Sequence, residues 1–261
     1  MIDYYIGTMG FSYRDWAGVF YPAGVPAGDY LRQYSKIFNA VEIDSTFYGT
    51  PKPAAVLHWR EQSPEEFKIC VKVPRAITHE ARLENVGREM EIFVSAVAAL
   101  KRKLGAILIQ FPPSFDLSYG KVFKQFLTLL PKDQTFVVEF RHPSWYIPDT
   151  AMLLSEYQIC WAATEYPGVP REVNLTSEMI FIRLVGEHGR FPSHDRERID
   201  VSQQLAGWWR WIQSKADQVH TVYIFFNDDY SGHAPASANR LKALIGLPVT
   251  KPGIPKQIRL L

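Results

Sequence analysis

Charged and amide side chains stand at the ends of otherwise apolar runs. Glu42 and Asp44 close AVEID (40–44), Lys72 lies near the end of FKICVKV (67–73), and Gln110 near the end of AILIQF (106–111). Glu139 and Arg141 finish TFVVEFR (135–141), Arg183 sits in MIFIRLV (179–185), and Asn227 ends TVYIFFN (221–227). Carboxylates such as Glu42, Asp44 and Glu139 can move protons as general acids and bases. Glu42 and Glu139, on different runs, could face each other as in glycoside hydrolysis, where their separation selects retaining or inverting geometry. Lys72, Arg141 and Arg183, joined by Arg75 in KVPRAITH (72–79), could hold a phosphate or carboxylate.

These groups can meet only if the runs are strands brought side by side. With YYIGT (4–8) and ICWAAT (159–164) there are eight such runs. Their near-continuous hydrophobicity suits strands covered on both faces, as in a parallel sheet. Helical spacing lies between them, over 28–38, 53–62, 84–103, 120–130, 149–156, 203–218 and 233–245. In 84–103, Met90, Phe93, Val94, Val97 and Leu100 form one stripe. The aromatic segment GWWRWI (207–212) reads as helix packing. Eight strands alternating with helices in 261 residues predict an α/β fold, a single (β/α)8 TIM-type barrel over 1–261, with a Pro-rich tail at 246–261 packed on it. A doubly wound open sheet is the runner-up.

Alternation along a strand then sorts the polar residues. Glu42 shares a face with Asp44; Lys68, Cys70 and Lys72 share one; so do Leu108 and Gln110. Val137, Glu139 and Arg141 point together, and Val138, Phe140 and His142 point the other way. Phe181 goes with Arg183, and Tyr223 and Phe225 with Asn227. Thr8 closes the first strand; Thr164 or Glu165 closes the sixth. Charges turned toward a helix layer would be left unpaired, so the common face is the barrel interior, and the ring stands at the C-terminal mouth where such barrels carry their sites. Three acids and three bases also balance to zero, so the ring has a second reading as a structural ion network.

Composition narrows the field. Apolar residues are 47% and charged residues 21%, and the net charge of +2 creates no strong global field toward nucleic acid or membrane. Cys70 and Cys160 sit in apolar runs without metal-type spacing, which favours reduced core thiols and a cytoplasmic location. The start MIDYYIGTMG lacks the pattern of a signal peptide, and no run approaches the ~18 apolar residues of a membrane span.

The motifs also carry a resemblance. GFSYRDWAGVFYP (10–22), VEIDSTFYGTP (41–51), KVPRAITH, GAILIQFPPSF (105–115), VEFRHPSW (138–145) and YIFFNDDYSGHAPASANRL (223–241) are similar to the YecE-like family, domain of unknown function seventy-two. The resemblance covers almost the whole chain. It implies one TIM-type barrel, cytoplasmic, with no established reaction or cofactor. Two positions depart from the family pattern: Asn227 is followed by Asp228 and Asp229 in place of a second Asn, and Val185 precedes Gly186 in place of His.

The loops add Trp16 after the first strand, Tyr48 after the second and Trp145 after the fifth, aromatics able to stack on a ligand or to pack the loops down. Gly186 and Gly189 follow the seventh strand, near where such barrels often place a phosphate. The seven His residues show neither HxH nor HExxH spacing. No cofactor is required; magnesium through Glu42, Asp44 or Glu139 is compatible with the pattern. The expected function is an enzyme, a hydrolase, lyase or isomerase, acting on a small anionic, sugar-like substrate. Its catalytic carboxylates would be Glu42, Asp44 and Glu139. Lys72, Arg75, Gln110, Arg141, Arg183, Asn227, Tyr48, Trp16 and Trp145 would bind the substrate. The alternatives are a nucleic-acid binder or phosphodiesterase, and a non-catalytic ligand-binding scaffold.

Overall fold

Each apolar run forms a strand, and all strand pairs are parallel. A computed structural model describes residues 2–171 and 173–250. The strands are β1 (Asp3–Thr8), β2 (Ala40–Ile43), β3 (Lys68–Lys72), β4 (Leu104–Gln110), β5 (Phe136–Glu139), β6 (Cys160–Trp161), β7 (Ala163–Glu165), β8 (Met179–Leu184) and β9 (Thr221–Phe226). They make two parallel sheets, one in the order β2-β3-β4-β5-β6 and the other β1-β9-β8-β7. The expected sixth strand is thus two short ones. Its first half pairs with β5, and the Ala162 amide still donates to the Val138 carbonyl at 2.9 Å. Its second half has moved to β8, pairing Thr164 with Arg183.

The sheets meet again at β1 and β2. Met9 forms an isolated parallel bridge with Glu42, and the Gly10 amide donates to the Glu42 carbonyl at 2.7 Å. The buried Tyr34 hydroxyl accepts from the Thr8 amide at 2.8 Å and donates to the Ala40 carbonyl at 3.1 Å. Gly7 permits this approach, because a Cβ there would lie 1.9 Å from the Ala40 carbonyl oxygen.

The helices are α1 (Tyr30–Tyr34), α2 (Pro53–Gln62), α3 (Gly87–Val97), α4 (Gly120–Leu127), α5 (Pro148–Glu156), α6 (Ser202–Gln213), α7 (Asp228–Ser231) and α8 (Ala234–Leu244). Several are shorter than periodicity predicts, with α4 stopping at Leu127 and α6 at Gln213. A 3₁₀ turn, Ala27–Asp29, replaces the start of 28–38. The stretch 84–103 is helical only as α3 and a following 3₁₀ segment, since Asn85 and Lys101 hold φ of 55° and 56°; such left-handed residues cannot continue a right-handed helix. Pro148 takes the first turn of α5, where its missing N–H costs nothing.

Two apolar layers result. The outer one lies between strands and helices and holds most of the aromatics. Trp208 and Trp211 of α6 are buried in it, as the helix-packing reading of GWWRWI expects. The inner one, between the faces the sheets turn toward each other, includes Met9, Cys70, Leu108, Val137, Phe181 and Phe225. Cys70 and Cys160 are buried free thiols. Of the tail, residues 251–261 lie outside the described residues; Leu247 packs against the outer core.

Candidate functional site

At the carboxyl ends of the strands the inner face changes from apolar to charged. Arg183, 2% exposed on β8, reaches across to both β2 and β5. Its Nε donates to Glu42 Oε2 at 2.9 Å and its Nη2 to Glu42 Oε1 at 2.6 Å. Its Nη1 donates to Glu139 Oε2 at 2.5 Å. The remaining Glu139 oxygen, Oε1, accepts from Arg141 Nε at 2.8 Å. Both glutamates are 0% exposed. Two guanidiniums thus hold two carboxyls by charge-assisted hydrogen bonds, the condition under which buried charge is tolerated.

The two glutamates differ sharply. Burial pushes the Glu42 carboxyl up, Arg183 opposes, and Asp44 beside it pushes up again, so that it reaches about 8. Burial also acts on Glu139, but Arg183 and Arg141 outweigh it and hold that carboxyl down at about 2.

Above this frame lies a cavity of about 510 Å³ lined by Asp44, Lys72, Arg141, Tyr166, Asn227 and the 185–188 turn. Lys72, 9% exposed, ends β3. Thr46 pins its backbone, accepting from the Lys72 amide at 3.0 Å and donating to its carbonyl at 2.7 Å. The Lys72 ammonium lies 3.9 Å from the Phe47 ring centroid and makes no hydrogen bond among the described residues. Burial, then the guanidinium of Arg183, lower its pKa to about 8. The Arg141 guanidinium stacks on Tyr166 at 4.1 Å, and among the described residues only its Nε is bonded. Asp44 stands 3.9 Å from Arg183 Nη2, and its buried Oδ1 has no hydrogen-bond partner among the described residues. Asn227 uses its Oδ1 to accept from the Asp229 amide at 2.9 Å, capping α7 and leaving its amide nitrogen to the cavity.

The expected ring is therefore gathered, but its members divide. Glu42 and Glu139 have all four oxygens engaged by arginines, so they form the floor. Gln110, 2% exposed, donates to the Phe111 carbonyl and does not line the cavity. Arg75 pairs with Glu80 at 2.9 Å on the surface. Tyr48 is 79% exposed and turned away. Trp16 and Trp145 are corrections to a ligand-stacking role. Trp16 is 0% exposed, with its Nε1 donating to Asp228 at 3.2 Å. Trp145 is 1% exposed, stacked on Phe140 at 4.3 Å and donating to the Phe115 carbonyl at 2.8 Å. These loops are anchored by their aromatics, which removes the rings from any ligand.

Other contributors carried little sequence signal. Phe47 and Tyr166 are loop aromatics whose faces cover Lys72 and Arg141. Gly186 holds φ of 75°, and a Cβ there would lie 2.3 Å from the Asp229 carbonyl oxygen, so glycine is needed where the turn crosses α7. Of the sixth-strand candidates, Thr164 is buried and donates to the Arg183 carbonyl at 3.1 Å, whereas Glu165 accepts from Trp208 and Tyr230. Magnesium through Glu42 or Glu139 does not fit, because Arg183 and Arg141 occupy their oxygens, which leaves Asp44 alone of the three carboxylates. Among the described residues no group of three His, Cys, Asp or Glu side chains is arranged for a metal, and no helix is long and apolar enough to cross a membrane.

Comparison with known proteins places this geometry in a family. The UPF0759 protein YecE of Escherichia coli K12 is 28% identical over 91% of this chain and 90% of its own. A DUF72 family protein of Thermotoga maritima superposes with a TM-score of 0.79 at 26% identity, covering 94% of this chain and 99% of that one. SacUVDE, at 12% identity and a TM-score of 0.57 over 95% of this chain and 100% of its own, shares the fold alone. The family model described as protein of unknown function DUF72 matches residues 5–259, and the chain belongs to that family.

Proposed function

We propose that the two sheets form one (β/α)8 barrel whose C-terminal mouth is the site of an enzyme acting on a small anionic, sugar-like substrate. Lys72, Arg141 and the Asn227 amide would hold the anion, and Asp44 would move the proton. The observation that carries this reading is the pair of cations on the cavity wall. The Lys72 ammonium has no hydrogen-bond partner, and Arg141 keeps its two outer nitrogens unbonded among the described residues. These donors open on the cavity rather than being tied into its wall, so an anion can take the place of water there by charge-assisted hydrogen bonds. Glu42 and Glu139 move from expected acid and base to support, orienting Arg183 and Arg141. Asp44 is a carboxylate of the cavity wall, 3.9 Å from Arg183 rather than hydrogen-bonded to it.

The test is calorimetric titration of the protein and its Arg141→Ala variant with glycerol phosphate at low salt. Binding that weakens at least tenfold in the variant supports the reading, as expected for a lost charge-assisted contact. No binding of phosphomonoesters or carboxylates contradicts it, and salt-dependent binding of short DNA or RNA in their place would make the mouth a nucleic-acid site.

A further inference from the structure

Among the described residues two lysines are almost fully buried, and the fold treats them differently. Lys103 is 5% exposed, and its ammonium donates to the carbonyls of Arg60 at 2.6 Å and Ser63 at 2.7 Å. Glu65 lies a further 3.6 Å away. That is how a buried structural ammonium is satisfied. Lys72, 9% exposed, has only the face of Phe47. It makes no hydrogen bond and no ion pair among the described residues, although its backbone is held on both sides by Thr46. An ammonium held this way is presented to the cavity rather than tied into the wall.

We infer that Lys72 is a nucleophile that forms an imine with a small aldehyde or ketone carrying a phosphate or carboxylate group. The inference rests on the anion-site reading above and names the substrate class for it. Arg141 and Asn227 line the same cavity as Lys72 and can hold the anionic group while the carbonyl carbon meets the amine. Asp44 lines that cavity too and accepts a proton from the ammonium. The free amine adds to the carbonyl carbon, forming the C–N bond, and the carbonyl π pair passes to oxygen. A proton shifts from nitrogen to that oxygen. Asp44 then returns its proton to the hydroxyl, which leaves as water as the C=N bond forms. One ammonium and one carbonyl become one iminium and one water, with charge conserved and no oxidant or reductant required. Burial and the neighbouring guanidiniums supply the free amine. With the pKa lowered to about 8, about a tenth of Lys72 is uncharged at neutral pH, against far less for a surface lysine.

The experiment is borohydride trapping on the whole protein with three probes: glycolaldehyde phosphate, glyoxylate and uncharged glycolaldehyde. Tryptic peptides are then mapped by mass. The expected result is reduced adduct concentrated on Lys72, at least tenfold more with an anionic probe than with glycolaldehyde, and suppressed by inorganic phosphate. Comparison of the two anionic probes tells phosphate from carboxylate recognition. Arg141→Ala should lower the labelling of Lys72 toward that of exposed lysines while leaving the latter unchanged. Labelling spread over exposed lysines, with Lys72 no richer than they are, overturns the inference. If glycerol phosphate still binds and Arg141→Ala still weakens it, the imine fails while the anion site stands. If neither probe nor phosphate binds, both fail.

Discussion

β2 and β5 end in the same rhythm with opposite second members: Glu42-Ile43-Asp44 on one, Glu139-Phe140-Arg141 on the other. Both glutamates are 0% exposed and both bond Arg183. Burial and the central guanidinium are therefore common to the pair, and the residue two positions on, sharing the face, decides the rest. Asp44 pushes Glu42 further up, to about 8; Arg141 helps to hold Glu139 at about 2. Similar frames thus yield one carboxyl that is neutral and one that is ionised at pH 7. The charge of the mouth follows. As pH rises through about 8, Lys72 loses its proton and Glu42 ionises, and each change makes the mouth more negative.

The comparison breaks most completely at its shared member. Arg183→Met leaves both glutamates buried without their partner and should cost about 3–5 kcal/mol or prevent folding, read as the midpoint of urea unfolding. Removing one glutamate at a time should expose the asymmetry. At pH 7, Glu139→Gln should cost about 3 kcal/mol, because it takes an ionised partner from two arginines, and Glu42→Gln about 1 kcal/mol, because it replaces a neutral carboxyl. Equal losses would contradict the assignment.

Their pH dependences have opposite signs. Glu139 is held below its ordinary 4.5, so its contribution is complete above that value and is lost as pH falls toward about 2. Glu42 is held above 4.5, so the folded state keeps a proton that the unfolded chain releases. The wild type should therefore lose stability relative to Glu42→Gln as pH rises from about 4.5 to about 8. A smaller effect sharpens the role of Asp44: Asp44→Asn should lower the Glu42 titration midpoint by roughly one unit, followed by infrared absorption of the carboxyl. Smallest of all, Arg75→Ala removes a surface pair and should cost under ~0.5 kcal/mol without altering anion affinity.

Much of this mouth is legible in the sequence because strand alternation is strict. Glu42, Lys72, Glu139, Arg183 and Asn227 could be assigned one face from spacing alone. Which of them bond each other was not legible, since Arg183 joins strands that are not neighbours in either sheet. Periodicity says nothing of that distance. Trp16 and Trp145 illustrate a second limit, because a loop aromatic reads the same whether it turns inward to anchor the loop or outward to meet a ligand. The helix boundary before Gly87 was hidden for another reason. Arg82, Leu83 and Asn85 all adopt positive φ without being glycine, and nothing in their types marks all three. α7 carries no sequence signal, because four polar residues after a strand read as loop. The Asp228 that departs from the family pattern is a buried member of it, accepting from Trp16 and from the Ala234 amide at 2.8 Å.

Sulfate affinity as a function of pH tests the central claim most directly, since sulfate keeps its charge across the range. Titrated by calorimetry from pH 6.5 to 9.5, affinity should be highest below about 8 and fall at least tenfold above it, as Lys72 and Glu42 lose their protons and the mouth grows more negative. Affinity that stays flat across pH 8, or rises, would contradict an anion site built on the unlike ends of β2 and β5.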